Sequence, residues 1–332
     1  LALGRLPVKT VEETTAVVNK IISYAADSQS GNWGRSFLLV ADETDPAAGD
    51  FPVLSDQLAA DLLTPRGLDV AKIYYKVTQP NTSATRQAIE NSINAGRGIV
   101  IYTGHSSPTQ WSLDNFFDKN SLANLNNPTH LPFLLSLTCY TGMYVSPSSL
   151  TTDNSALDEF LIRAPGKAVV ATFSPTGKGL TEGHDILARG LLDSLFNHTT
   201  LIGPATTAAK VFLYGATAEN HELIDTFVLF GDPAMRYPIA PTGANLNYFR
   251  AYKVPDGVQL TWETTSEAEI VGFHLWRAVA GSSDFVKVNT ELITALNGGQ
   301  MEGRVYTYLD LGATPGIKYE YRLDLIKNNL QV

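Results

Sequence analysis

The amino-acid sequence predicts an α/β domain, a parallel-rich sheet covered by helices on both faces, followed by a smaller all-β sandwich. Three observations carry this expectation. Gly98-Ile-Val-Ile-Tyr-Thr-Gly104 and Leu131-Pro-Phe-Leu-Leu-Ser-Leu-Thr138 are short runs, apolar at successive positions, as strands read when both faces of a parallel sheet are covered. Over residues 1–240 such runs alternate with segments of helical period, the β-α-β order that right-handed crossovers produce. Beyond residue 243 the period changes to short alternating segments between turn residues, the pattern of antiparallel strands in a sandwich.

Taken in order, Val8–Asp27 sets Val11, Val17, Val18, Ile21, Ile22 and Ala25 at helical spacing, with Glu12 and Glu13 near the positive end of the helix dipole. Ser36–Ala41 reads as a strand that delivers Asp42 and Glu43 into a loop rich in Pro, Gly and Asp. A helix over Ser55–Leu63, a strand over Val70–Val77 and a helix over Ser83–Ala95, with Ser83 as its N-cap, lead into the first central run. After the second run come a helix near Ser155–Ile162, a strand Lys167–Phe173, helices near Glu182–Phe196 and Ala205–Ala218, and a strand Thr226–Phe230. Pro238–Pro241 reads as a short linker, so domains are expected at 1–240 and 241–332. In the second domain Leu246–Tyr252, Gly257–Glu263, Gly272–Arg277, Val305–Leu309 and Lys318–Leu325 are the expected strands, with Trp262 in the core.

Composition narrows the function classes. A chain of 332 residues that is 44% hydrophobic and 17% charged is globular and large enough for two domains. Its formal charge is −9, and no cluster of Lys or Arg could follow a phosphate backbone, so nucleic acid is not an expected partner. No apolar run reaches the ~20 residues of a membrane-spanning helix. Leu1-Ala-Leu-Gly-Arg-Leu-Pro7 reads as the tail of a strand rather than a start, so the chain is expected to be a fragment or processed product, with part of its N-terminus and any targeting segment missing. One cysteine excludes an internal disulfide framework and paired-cysteine zinc motifs.

The two central runs end on His105 and Cys139, residues able to do nucleophilic chemistry at the carboxyl edge of the sheet, where open α/β folds bind ligands. A thiolate attacks carbonyl carbon well, and a nearby histidine supplies both the base and the cation that ionise it. The bland alternative makes Cys139 a small buried hydrophobe. A nucleophile elbow at Gly104-His-Ser-Ser-Pro108, with Ser106 attacking, is disfavoured by proline at the fifth position. His105, His130, His184, His198 and His221 lack the spacing of a zinc site.

Tyr102-Thr-Gly-His-Ser-Ser-Pro-Thr-Gln-Trp111, followed by the Leu131–Cys139 run, resembles the gingipain family of cysteine peptidases, in the caspase-like clan. Gly4-Arg5-Leu6, the Val40-Ala-Asp-Glu43 loop and Asp225-Thr-Phe-Val-Leu-Phe-Gly-Asp-Pro233 fit the same family. The resemblance implies a caspase-like fold and a cysteine endopeptidase with Cys139 as nucleophile, His105 as proton-transfer partner, and Glu43 or Asp42 as the acid supporting the histidine. The oxyanion hole would use the backbone N–H groups of Cys139 and Ser106, where the family usually carries glycine in place of Ser106. Trp111, Thr138, Tyr140, Asp50 and Asp56 are the candidate substrate contacts. The resemblance further implies a polypeptide substrate, secretion or cell-surface location, no cofactor for the chemistry, and structural calcium without an assigned ligand set among Asp42, Asp45, Asp50 and their neighbours. Pro315-Gly-Ile-Lys-Tyr-Glu-Tyr-Arg-Leu323 resembles the strand after a fibronectin type III tyrosine corner, which implies an immunoglobulin or fibronectin III-like sandwich that binds a cell surface or protein, or acts as a spacer. A sortase-like transpeptidase using the same two residues, and an inactive caspase-like scaffold, are the alternative functions.

Overall fold

The structure is a computed structural model that describes residues 2–27, 33–145, 153–239, 246–264, 267, 270–298 and 303–327. The chain divides into two compact units, Leu1–Ile239 and Ala240–Val332. Among the described residues no helix is long and apolar enough to cross a membrane.

The first unit is mixed α/β. Its strands are β1 (Ser36–Ala41), β2 (Asp69–Tyr74), β3 (Ile99–Thr103), the short β4 (Ser106–Ser107), β5 (Gln110–Trp111) and β6 (Phe117–Asp118), then β7 (Phe133–Leu137), β8 (Ala171–Pro175) and β9 (Phe227–Phe230). Its helices are α1 (Val11–Asp27), α2 (Phe51–Leu58), α3 (Thr82–Asn94), α4 (Leu157–Arg163), α5 (Thr181–Asn197), α6 (Ile202–Ala216) and α7 (Glu222–Thr226). The main sheet runs β2-β1-β3-β7-β8-β9, parallel except for β9. Arg5 forms a parallel bridge to Phe230 on the far side of β9.

Side-chain alternation explains the continuous apolar runs. Phe37, Leu39, Ile99, Ile101, Phe133 and Leu135 enter one core with residues of α2, α5 and α6, while Leu38, Val40, Val100, Tyr102 and Leu134 enter another with residues of α1, α3 and α4. Successive residues of one strand point to opposite faces, and both faces here are covered.

Several element boundaries differ from the sequence expectation for local reasons. The helix expected at Ser55 starts at Phe51, because Asp50 accepts a hydrogen bond from Val53 N–H at 3.1 Å and Pro52 fits the first turn. It ends at Leu58 and continues as a π-turn over Ala59–Leu63. The strand expected to reach Val77 stops at Tyr74, where Thr78 Oγ1 takes the Tyr74 N–H at 2.7 Å and Lys76 adopts a φ of 56°. Asn81, not Ser83, caps α3, its Oδ1 accepting from Ala84 N–H at 3.0 Å. The strand expected from Lys167 begins at Ala171, since the Asn127 amide brackets Ala168 through both its N–H and its carbonyl. Helix α6 starts at Ile202, three residues early, because Pro204 sits in its first turn, where no intrahelical N–H is needed.

The second unit contains β10 (Leu246–Val254), β11 (Gly257–Thr264), β12 (Ile270–Val279), β13 (Val286–Lys287), β14 (Ile293–Thr294), β15 (Val305–Asp310) and β16 (Tyr319–Lys327). Strands β10, β11 and β15 form one antiparallel sheet, while β12 pairs with β13, β14 and β16 in another. Leu260 and Trp262 from the first and Phe273 and Leu275 from the second share one apolar cluster, in which Trp262 is fully buried and stacks on Tyr306 at 5.1 Å. The expected Pro238–Pro241 linker falls partly outside the described residues.

Candidate active site

The central strands set the level at which the reactive residues emerge. Strands β3 and β7 are adjacent and parallel, with Thr103 opposite Leu137. His105 lies two residues beyond Thr103 and Cys139 two beyond Leu137, so both leave the sheet at its carboxyl edge, from neighbouring strands. The two turns are tied together. Gly104 N–H donates to Leu137 O at 3.3 Å, Thr138 Oγ1 lies 2.6 Å from Gly104 O, and Cys139 N–H donates to Ser106 Oγ at 3.1 Å. The Ser106 hydroxyl in turn donates to the Cys139 carbonyl. Only glycine fits at 104, since a Cβ there would lie 2.4 Å from the Asp42 Cβ.

His105 is held through both its ring and its backbone. Its Nε2 meets Asp45 Oδ2 at 2.8 Å, and the edge of the ring packs on Phe51 at 5.3 Å. Its N–H donates to Asp42 Oδ2 at 3.3 Å, and its carbonyl accepts from Ser112 N–H and the Tyr102 hydroxyl. The side chains of His105 and Asp45 are each about one-third exposed, at 33% and 35%. Asp45 owes its position to a closed turn, in which its Oδ1 accepts from Ala47 N–H at 2.7 Å and its carbonyl from Gly49 N–H at 2.7 Å. The Ala47 N–H first, and then His105, hold the Asp45 carboxyl below its ordinary pKa. Burial pushes that of Asp42 up, against the pull of the N–H groups of Glu43 and His105.

The acidic partner of the ring is therefore Asp45, not the expected Glu43 or Asp42. Asp42 extends β1, giving its N–H to Thr103 O at 3.0 Å, and spends its carboxylate on backbone N–H groups. Glu43 points away to Lys76 Nζ at 2.8 Å. The sequence signal for Asp45 was the turn itself, an Asp followed four residues later by Gly49, which folds the carboxylate back over the sheet edge.

Cys139 is half-buried, and its Sγ lies 3.9 Å from Gly179 O in the segment that leads into α5. Tyr140 adopts a φ of 63° and gives its N–H to Gly177 O at 3.0 Å, turning the chain sharply after the cysteine. Behind this turn the buried Asp158 accepts from Thr141 Oγ1 and Ser136 Oγ, both at 2.9 Å. Asp158 was not among the candidate residues, for only its pairing with residues of distant sequence gives it a role.

Most of the expected substrate contacts sit elsewhere. Trp111 is 1% exposed, sandwiched between Tyr102 at 4.4 Å and Phe117 at 4.5 Å, so it supports the loop after His105 from inside the core. Thr138 is likewise buried and braces Gly104 and Ser106. Asp50 caps α2, while Asp56 bonds Lys72 Nζ at 2.7 Å and the Tyr74 hydroxyl at 2.8 Å. Tyr140, half-buried beside Cys139, keeps an accessible face. The other histidines stay apart from His105: His130 stacks on Trp33, His184 is buried beside Phe227, and His221 bonds Thr217 O. Among the described residues no three His, Cys, Asp or Glu side chains converge on a point that could hold a metal ion.

Comparison with known proteins gives this geometry a setting. The profile of Peptidase family C25 matches residues 1–238. Gingipain R2 of Porphyromonas gingivalis is 24% identical over 253 residues, covering 70% of this chain and 32% of that protein. Gingipain R1 of the same organism is 24% identical over 253 residues, covering 70% of this chain and 24% of that protein. The chain thus spans about a third or less of the length of these curated relatives. Among solved structures, the complex of Porphyromonas gingivalis RgpB pro- and mature domains superposes with a TM-score of 0.62 at 18% identity, over 92% of this chain and 76% of that one. The Arg-specific cysteine proteinase gingipain R superposes at 0.59 and 22% identity, over 96% and 74%. At these identities the structural likeness establishes the fold.

Proposed function

The chain belongs to peptidase family C25, and from that premise we propose that its Leu1–Ile239 unit is a cysteine endopeptidase working through an acyl-enzyme on Cys139. The observation that carries the reading is the shared level of His105 and Cys139 on adjacent parallel strands, with their turns cross-bonded through Ser106. Asp45 holds one ring nitrogen of His105, and the proposed mechanism assigns the other to the thiol. The imidazole takes the Cys139 proton, and the thiolate attacks the scissile carbonyl carbon. The carbon–nitrogen bond breaks as the imidazolium protonates the departing amine. Water, deprotonated by the same imidazole, then cleaves the thioester and restores the thiol. Backbone N–H groups of Cys139 and Ser106 would stabilise the oxyanion of each tetrahedral step. All of these groups belong to the chain itself.

The substrate in this proposal is a polypeptide, with Tyr140 the remaining candidate contact beside the nucleophile. Location outside the cell follows from the family and belongs to the same proposal. So does structural calcium, which a thermal-shift titration with calcium chloride would detect. The Ala240–Val332 unit is proposed as an immunoglobulin or fibronectin III-like sandwich that acts as a spacer or a binding module, a reading supported by its two antiparallel sheets around Trp262.

A peptide-library digest comparing the native chain with Cys139→Ala, analysed by mass spectrometry for cleavage and for ligation, tests the mechanism. Cleavage lost by on the order of 10³-fold or more in the variant is the expected result. Equal activity in the two would remove Cys139 from the mechanism, and ligated products would reassign the reaction to transpeptidation.

A further inference from the structure

The hydroxyl of Ser106 stands against the backbone N–H of Cys139. Cys139 N–H, one of the two donors the proposed mechanism needs, is given to Ser106 Oγ at 3.1 Å. The Ser106 hydroxyl proton goes to the Cys139 carbonyl, and Thr138 Oγ1 stands 2.6 Å from the same oxygen. A hydroxyl carries one proton and two lone pairs. Two of the three are engaged on Cys139, the proton on its carbonyl and one lone pair on its N–H, while Thr138 Oγ1, whose single proton also faces Gly104 O, lies beside the other lone pair. The neutral serine oxygen therefore satisfies the nucleophile's own N–H in the way a tetrahedral oxyanion would.

This arrangement is incompatible with acylation as it stands. A substrate carbonyl oxygen reaching Cys139 N–H would have to displace Ser106 Oγ, which requires rotation about χ1 to another staggered position and breaks the bonds on both Cys139 backbone groups. Ser106 is half-buried on the two-residue strand β4, so its side chain is not enclosed in the core. A glycine or alanine at this position would keep the backbone N–H and leave Cys139 N–H open.

We infer that Ser106 is a built-in plug of the oxyanion hole, holding the resting site closed until a substrate carbonyl displaces its hydroxyl. The inference rests on Cys139 being the nucleophile, as proposed above. Removing the plug is worth about one net hydrogen bond, so Ser106→Ala and Ser106→Gly should each raise kcat/KM by roughly 10-fold.

The test uses the full chain as native protein, Ser106→Ala, Ser106→Gly and Cys139→Ala, with two probes that place different demands on the site. A peptide aldehyde adds the Cys139 sulfur to its carbonyl carbon and needs the hole for the resulting hemithioacetal oxygen. Iodoacetamide is displaced at carbon by the same thiolate, losing iodide, and needs no hole. The expected result is a gain of roughly 10-fold in aldehyde affinity and in kcat/KM for both serine variants, with alkylation rates within about 2-fold of native. Unchanged or weakened aldehyde binding at native alkylation rates would overturn the plug and make the hydroxyl neutral or a helpful donor. Loss of alkylation in both variants would also overturn it, because the hydroxyl would then be holding the site together. Native protein that cleaves peptide no better than Cys139→Ala would instead overturn the nucleophile assignment, and the plug with it.

Discussion

Replacing Asp158 by asparagine should flatten the dependence of stability on pH between about 4 and 6. The carboxyl is fully buried behind the turn that follows Cys139, its Oδ2 bonded by Ser136 and Thr141 and the Ser174 hydroxyl close by. Burial pushes its pKa up from 3.8 to about 6, although the surrounding hydroxyl groups pull the other way. A carboxyl with a raised native pKa holds its proton more tightly in the folded chain than in the unfolded one. Between the two pKa values the folded state binds more protons, so its stability falls as pH rises through that window and stays reduced above it. A shift of about two units corresponds to roughly 3 kcal/mol. Asparagine keeps the shape and the acceptor but cannot ionise. Asp158→Asn should therefore gain on its parent by up to about 3 kcal/mol as pH rises from 4 to 7, any unsatisfied amide proton adding only a constant offset at every pH. The measurement is urea unfolding of Cys139→Ala and Cys139→Ala/Asp158→Asn at pH 4, 5, 6 and 7, the cysteine removed in both to prevent self-digestion. A difference between the two chains that stays constant with pH would refute the reasoning, since it would mean that the buried carboxyl titrates alike in folded and unfolded chains.

Three further outcomes follow from the contacts described. Asp45→Asn should lower kcat by roughly 10–10²-fold with little change in KM, whereas Glu43→Gln should stay within about 2-fold of native, because only the first carboxylate touches the His105 ring; steady-state kinetics on one peptide substrate separates them. Asn81→Ala should cost about 1 kcal/mol through loss of the α3 cap, and Ser83→Ala within about 0.5 kcal/mol, as read by thermal unfolding. Trp262→Ala should destabilise the second unit by about 3–5 kcal/mol while leaving the rate of Cys139 alkylation unchanged, and a matching loss of alkylation would contradict the division into two units.

What the sequence revealed and what it hid divide along one physical line. Strands β3 and β7 could be read because burial on both faces leaves consecutive apolar residues, whereas a helix with one face in water would interrupt such a run with polar side chains. His105 and Cys139 stood out for a related reason, since reactive side chains at the ends of such runs emerge at the ligand-binding edge. Trp111 was misread because its neighbours in sequence are polar, while its neighbours in space are Tyr102 and Phe117. Asp45 was missed because a turn closed by its own side chain brings it to the histidine, and the more obvious Glu43, two residues earlier, is drawn off by Lys76 from another strand's end. In each miss a contact across the fold decided the role, where periodicity and local turn chemistry have nothing to say.

Ser106 lies on that line, which is why it bears most on the chemistry. Its identity could be read directly as a departure from the family's usual glycine, and its backbone N–H is the same for either residue, so the sequence alone put only the conformation of the loop in question. The parallel register that brings the turn after β3 level with the turn after β7 alters that conclusion. It sets the Cβ substituent at 106 against the backbone of residue 139, where any hydroxyl must compete with the substrate for the nucleophile's own N–H. A side chain is thus able to regulate a site whose stabilising groups are all backbone, because those groups are fixed in place and can be reached only by what stands in front of them.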